Sequence, residues 1–234
     1  MRLQQLYSKV RQAIKDYNMI EEGDRIALGI SGGKDSLSLL YALAGLRAFY
    51  PKKFELIAIT VNLGYKGFDL DMVANLCKEL NVSYHIVDTN INKMIEESGC
   101  SLCAKLRKGA LHDKAKELGC NKIAYAHNMD DVVETVMLSL IYEGHFSCFY
   151  PVKYLNKSDM TLIRPFIYVS QADAVGFMHK YNLPVVTNPC PFDHASERQY
   201  VRNLLNEINR HSPGVKTRIM NALTDGTIDS WVKS

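Results

Sequence analysis

The chain has 234 residues, 47% of them hydrophobic and 23% charged, enough to bury one substantial core with a small appendage. Its formal net charge of +3 excludes a nucleic-acid binder that works by bulk charge, so such a partner has to be held by a local basic face. No apolar run spans a bilayer and the N-terminus lacks a signal-peptide core, so a cytoplasmic protein with no membrane partner is expected, whose 6 cysteines are ligands, catalytic thiols or core filler rather than a disulfide framework.

Leu3, Leu6, Tyr7, Val10 and Ile14 fall on one face of an amphipathic helix, which defines an N-terminal segment over residues 1–20. Ile26, Leu28 and Ile30 then alternate with small residues as a central parallel strand does. Asp35 and Ser36, residue types favoured at helix N-caps, precede the apolar run Leu37, Leu39, Leu40, Ala42 and Leu43. Further strands are expected at residues 54–61, 82–87 and 122–126, with helices at 70–80, 91–97, about 101–118 and 130–142. This alternation predicts an α/β fold: a parallel sheet with helices on both faces and a ligand crevice beyond the carboxyl ends of the strands. Past residue 142 the pattern loosens into short strands near 149–154 and 161–163, a break at Pro165, and helices at 171–181, 196–210 and 214–223. The expected division is a catalytic domain over 21–190 and a C-terminal helical extension over 191–234 packed on the same domain.

Between the first strand and its helix lies Ser31-Gly32-Gly33-Lys34-Asp35-Ser36. Gly32 and Gly33 let backbone approach an anion with no Cβ in the way, the N–H groups of the first helical turn point at it, and Lys34, Ser31 and Ser36 add a charge and hydroxyl donors. The common nucleotide loop separates its first glycine from its lysine by more residues, so this loop is of another kind. Just past the second strand, Val61 and Asn62 lead into Leu63-Gly64-Tyr65, where an adenosine would lie if phosphates occupied the loop; an ordinary strand-to-helix connection reads equally well. His127-Asn128-Met129-Asp130-Asp131 follows the fourth strand and places two acids at a helix start, suited to a Mg²⁺ ion beside phosphate or to the helix dipole alone.

Cys100-Ser101-Leu102-Cys103 opens a helix, and Cys190 is pinned between Pro189 and Pro191. A Cys-x-x-Cys pair is read as half a zinc site, a redox dithiol, part of an iron–sulfur site, or an accidental core pair. Cys77 and Cys120 read as core residues, and Cys148 is undecided.

The loop 31–36 resembles that of the ATP-pyrophosphatase superfamily, which splits ATP between the α and β phosphates. Together with Val61-Asn62-Leu63, the segment from Cys100 to Gly109, the run 126–131, Ile163-Arg164-Pro165 and Cys190, the chain resembles the tRNA 2-thiocytidine synthetases over roughly residues 20 to 224. That resemblance implies a PP-loop fold of the adenine nucleotide alpha hydrolase type. It also implies ATP bound by Ser31, Gly32, Gly33, Lys34, Asp35, Ser36, Val61, Asn62 and His127, and Mg²⁺ near Asp130 and Asp131. By position, Cys100, Cys103 and Cys190 would ligate a [4Fe–4S] cluster with one iron left open for sulfide, and Lys34 and Asp35 would join these cysteines in catalysis. Lys105, Arg107 and Lys108 would hold phosphates of the tRNA partner, and a cysteine desulfurase or inorganic sulfide would donate sulfur; a homodimer is compatible with the chain. Gly64 stands where the family commonly has an acid. The alternatives are an adenylating ligase of the lysidine synthetase type, which needs no cysteines, and a zinc-stabilised nucleotide- or RNA-binding module.

Overall fold

The structure, a computed structural model, describes residues 1–65, 67–94, 99–186 and 197–225. Its strands are β1 (Asp24–Gly29), β2 (Phe54–Asn62), β3 (Ser83–Asp88), β4 (Lys122–Ala124), β5 (Val152–Leu155) and β6 (Met160–Ile163). The helices are α1 (Leu3–Asp16), α2 (Lys34–Leu46), α3 (Asp71–Glu79), α4 (Ile91–Met94), α5 (Gly99–Glu117), α6 (Met129–Leu138), α7 (Gln171–Lys180), α8 (Glu197–His211) and α9 (Val215–Asp225). One sheet has the order β3-β2-β1-β4-β6-β5, parallel throughout except for β5, which pairs antiparallel with β6. The expected α/β class holds, with an antiparallel strand added at one edge.

The described residues group into two compact units, one within Met1–Asn128 and Tyr150–Asp193, the other within Met129–Phe149 and His194–Ser234. The first contains the sheet. There the chain moves from β1 outward to β2 and β3, then returns to lay β4 on the other side of β1, so the order reverses between β1 and β4 and a crevice opens at their carboxyl ends. Strand alternation explains how both faces are covered. Ala27, Ile57, Ile59, Val61 and Ile123 point to one side and pack with Leu111 and Ala115 of α5. Ile26 and Leu28 point to the other, where α2 buries Leu37, Leu39, Leu40 and Leu43 completely, each worth about 2 kcal/mol. Of the predicted apolar stripe of α1, Leu6, Val10 and Ile14 are buried, joined by Ala13, while Leu3 and Tyr7 are half-buried; Lys9 pairs with Asp173 of α7 at 2.8 Å.

The second unit is helical. Glu134, fully buried on α6, receives Arg202 of α8 in a bidentate pair at 2.7 and 3.1 Å. The predicted helix over 130–142 ends as α-helix at Leu138 and continues as a π-helical turn, Ser139–Glu143. The Ser139 hydroxyl donates to the Ser147 carbonyl at 2.9 Å and accepts from the Ser147 amide at 3.1 Å, a tie outside the helix that holds the wider turn open.

Candidate active site

The glycine loop closes β1 and opens α2 as expected, with one correction. The N-cap is Gly33, so Asp35 and Ser36 lie inside the first turn. Ser36 instead braces the loop: its hydroxyl donates to the Gly33 carbonyl at 2.9 Å and accepts from the Ser31 amide at 3.2 Å. Gly32 has φ +79°, and a Cβ there would stand 3.1 Å from Cβ of Val186, whose amide donates to the Gly32 carbonyl at 3.0 Å. Lys34 Nζ lies 2.7 Å from Asp35 Oδ2, and Asn128 donates to the other Asp35 oxygen at 3.3 Å. The lysine is thus held at the loop by a neighbour that an incoming polyphosphate can replace.

The loop forms one wall of a cavity of about 440 Å³, in the size range of small-ligand sites. Val61, Asn62, Leu63, Tyr65 and Phe68 line a second wall, Tyr125, Ala126 and His127 a third, and Arg107 and Leu111 of α5 a fourth. Burial pushes the Tyr125 phenol up to about 12 although Arg107 and Arg164 pull it down, so it stays protonated; its hydroxyl lies 3.1 Å from His112 Nε2. Burial also lowers the pKa of His112 and favours its neutral form. Arg164, a buried residue given no role by the sequence reading, donates from Nε to Nδ1 of His127 at 3.0 Å. A charged residue between Ile163 and Pro165 was the sequence signal that could have drawn attention to it.

Asn62 is set by its neighbours: it donates to Asp88 at 2.9 Å and accepts from the Gly64 amide at 3.1 Å. Gly64 itself has φ +90°, and a Cβ there would meet Asn92 Oδ1 at 2.7 Å and the Thr89 carbonyl at 2.8 Å. The acid common at this position in the resembled family is therefore incompatible with the local backbone of this chain. Gly64→Ala is expected to destabilise by about 2 kcal/mol, because a left-handed backbone and a fixed carbonyl both oppose the new methyl. An unchanged denaturation midpoint would show that the turn relaxes freely.

Cys100 and Cys103 both belong to α5, three residues apart, which puts their backbone positions on one face of the helix. Cys103 is half-buried and packs against the core beneath the sheet, whereas Cys190 lies outside the described residues. Residues 103, 107 and 111 follow at helical spacing, so Arg107 shares a stripe with Cys103 and with Leu111. Lys105, Arg107 and Lys108 are all exposed, and Arg107 lines the cavity as well. Cys77 and Cys120 are buried as expected, and Cys148 directs its thiol to the Val132 carbonyl at 3.6 Å.

Asp130 and Asp131 belong to the second unit. Asp130 is buried and receives Lys216 Nζ at 2.7 Å, with Asn206 holding the same ammonium at 3.0 Å. A carboxylate already neutralised in this way is a poor first ligand for Mg²⁺, so Asp130 does not fit the expected site.

Residues 2–208 match a family described as the PP-loop domain. The tRNA-cytidine(32) 2-sulfurtransferase of Geobacter sulfurreducens is 36% identical over 231 residues, spanning 95% of this chain and 90% of the relative. Its counterpart from Geobacter metallireducens is 38% identical over 232 residues, spanning 96% and 90%. Among solved structures, the U34-tRNA thiolase NcsA from Methanococcus maripaludis with its [4Fe-4S] cluster superposes with a TM-score of 0.78 at 26% identity, over 98% of this chain and 79% of that one. An NH3-dependent NAD synthetase from Campylobacter jejuni, 14% identical with a TM-score of 0.53, shares the fold over 100% of this chain and 98% of its own. Relatives of this kind favour neither a lysidine-type ligase nor a zinc-stabilised module.

Proposed function

We propose a function for a chain that belongs to the PP-loop family, beside its tRNA-cytidine(32) 2-sulfurtransferases: it uses ATP to replace the C2 carbonyl oxygen of a tRNA cytidine with sulfur. The observation that carries this reading is the double use of α5. The helix begins with Cys100 and Cys103, and one and two turns beyond Cys103 its Arg107 and Leu111 wall the cavity under the glycine loop. Sulfur chemistry and nucleotide chemistry are thereby built on one rigid element.

In the reaction the cytidine C2 oxygen attacks the α phosphate, the bond to the β phosphate breaks, and pyrophosphate leaves. Sulfide then adds to C2, and AMP departs with the original oxygen. The loop 31–36 binds the leaving pyrophosphate through its backbone N–H groups, and Lys34 moves from Asp35 to the charge that develops there. Arg107 offsets charge from the wall that α5 supplies, and Mg²⁺ enters with ATP as a counterion of its phosphates. Val61, Asn62 and the backbone after β2 take the adenosine. Cys103 on α5, with Cys100 at the preceding turn and Cys190, suits a [4Fe–4S] cluster, since thiolates are the ligands such clusters take. Held by these thiolates, such a cluster would supply the sulfur that replaces the oxygen. Sulfide itself comes from a cysteine desulfurase or from the inorganic pool, and Lys105 and Lys108 hold RNA phosphates without reading sequence.

Nucleoside mass spectrometry of tRNA from a deletion strain tests the assignment. The expected result is loss of 2-thiocytidine, restored when the gene returns. Intact 2-thiocytidine together with missing 2-thiouridine would overturn the choice of base, and ADP rather than AMP from labelled ATP would overturn the reaction.

A further inference from the structure

A guanidinium is rarely buried without a task, because removing it from water costs several kcal/mol unless its donors are satisfied. Arg164 is only 7% exposed, and it sits immediately after β6, whose Ile163 pairs with Ala124 of β4. Tyr125 extends that pairing by donating from its amide to the Ile163 carbonyl at 3.0 Å, which brings His127 beside Arg164. The arginine is fixed at its other end as well: its Nη1 donates to the Tyr150 carbonyl, and its own amide donates to the Pro151 carbonyl at 3.0 Å.

Arg164 Nε donates to His127 Nδ1 at 3.0 Å. A guanidinium has donors and no acceptor, so the direction of this bond is settled by chemistry alone. Nδ1 must present its lone pair, and the single ring proton belongs on Nε2; an imidazolium would set one N–H against another. The Tyr125 ring meets the His127 ring edge to face, with centroids 5.8 Å apart at 65°, and opposes rotation of the imidazole. His127 also lines the nucleotide cavity.

We propose that Arg164 is a positioning residue, which holds His127 as a neutral Nε2–H imidazole at the cavity wall so that the ring directs a hydrogen bond to ATP instead of adding a second titrating charge. Arg107 already supplies positive charge to the same cavity, and Lys34 stands on the loop that walls it, which leaves orientation as the contribution of His127. This inference rests on the function proposed above and names how one of its walls is set.

Nitrogen-15 NMR of the histidine-labelled full-length protein reads the tautomer directly, with the His127 signals identified among the 7 histidines by their loss in His127→Gln. The expected result is an Nε2–H ring in the wild type and a mixture of tautomers in Arg164→Gln. In ATP-dependent thiolation, Arg164→Gln should lower kcat by about 10- to 100-fold, the scale of one positioned donor. His127→Gln, whose amide nitrogen reaches the place of Nε2, should retain more activity than His127→Asn, whose amide reaches only the place of Nδ1. If Arg164→Gln does not fold, the two His127 variants still decide. An Nδ1–H ring in the wild type, an unchanged tautomer in Arg164→Gln, or equal loss in the Gln and Asn variants would each overturn the inference. The tautomer is measured without turnover, so its failure is separate from a wild-type protein that makes no 2-thiocytidine.

Discussion

A Gly33→Val protein is expected to fold normally and to convert ATP to AMP on the order of 100-fold more slowly, the size of effect seen when a backbone contact to developing negative charge is lost. Gly33 has φ −80° and ψ 160°, a conformation any L-residue adopts, and β-branched valine favours it. A Cβ there would meet only the Ser31 hydroxyl, at 3.4 Å, which is ordinary contact. The fold itself therefore tolerates a side chain here, and the expected loss is the ligand's, since Gly33 lines the cavity. Gly32→Ala is the contrasting variant, because φ +79° and a Val186 Cβ only 3.1 Å away strain the fold itself. Gly32→Ala should lose about 1 to 3 kcal/mol of stability together with activity, whereas Gly33→Val should lose activity at an unchanged melting temperature. Normal turnover by Gly33→Val would show that phosphates do not pass over this loop.

Features fixed by local chain chemistry were legible in the sequence, and features fixed by distant pairing were not. The alternation of Ile26, Leu28 and Ile30 and the glycines after them report strand, turn and helix because each depends on neighbours only. The stripe through residues 103, 107 and 111 follows from helical spacing, but that Arg107 reaches the cavity depends on how α5 packs under the sheet. Arg164 and His127 could not be paired in advance: 37 residues separate them, and only the β4–β6 register brings them together. Asp130 is a similar case, since its partner Lys216 lies 86 residues away, and an acid in a first helical turn reads alike whether it waits for a metal or holds a lysine. The π-helical turn after Leu138 escaped for another reason. Leu140, Ile141 and Tyr142 continue a helical pattern, while the bond that widens the turn comes from Ser147.

The larger effect is expected at the cysteine pair. Cys103→Ala and Cys100→Ala should each yield anaerobically purified protein that has lost its brown colour, its iron and its acid-labile sulfide, and that forms no 2-thiocytidine on tRNA. Cys77→Ala should keep all of these, with at most about 1 kcal/mol lost from a small new cavity. The contrast follows from the two environments. Cys77 is fully buried on α3, where burial pushes its thiol up to about 11 and packs it in the core out of reach of an incoming cluster. Cys103 is half-buried on the helix that lines the nucleotide cavity, within reach of solvent and of the Arg107 stripe. Cys190 belongs in the same series as the third ligand, and its loss should match that of Cys103. Iron, sulfide and thiolation retained in Cys103→Ala would remove α5 from the cluster site, and a colourless protein with stoichiometric zinc and full activity would remove the cluster.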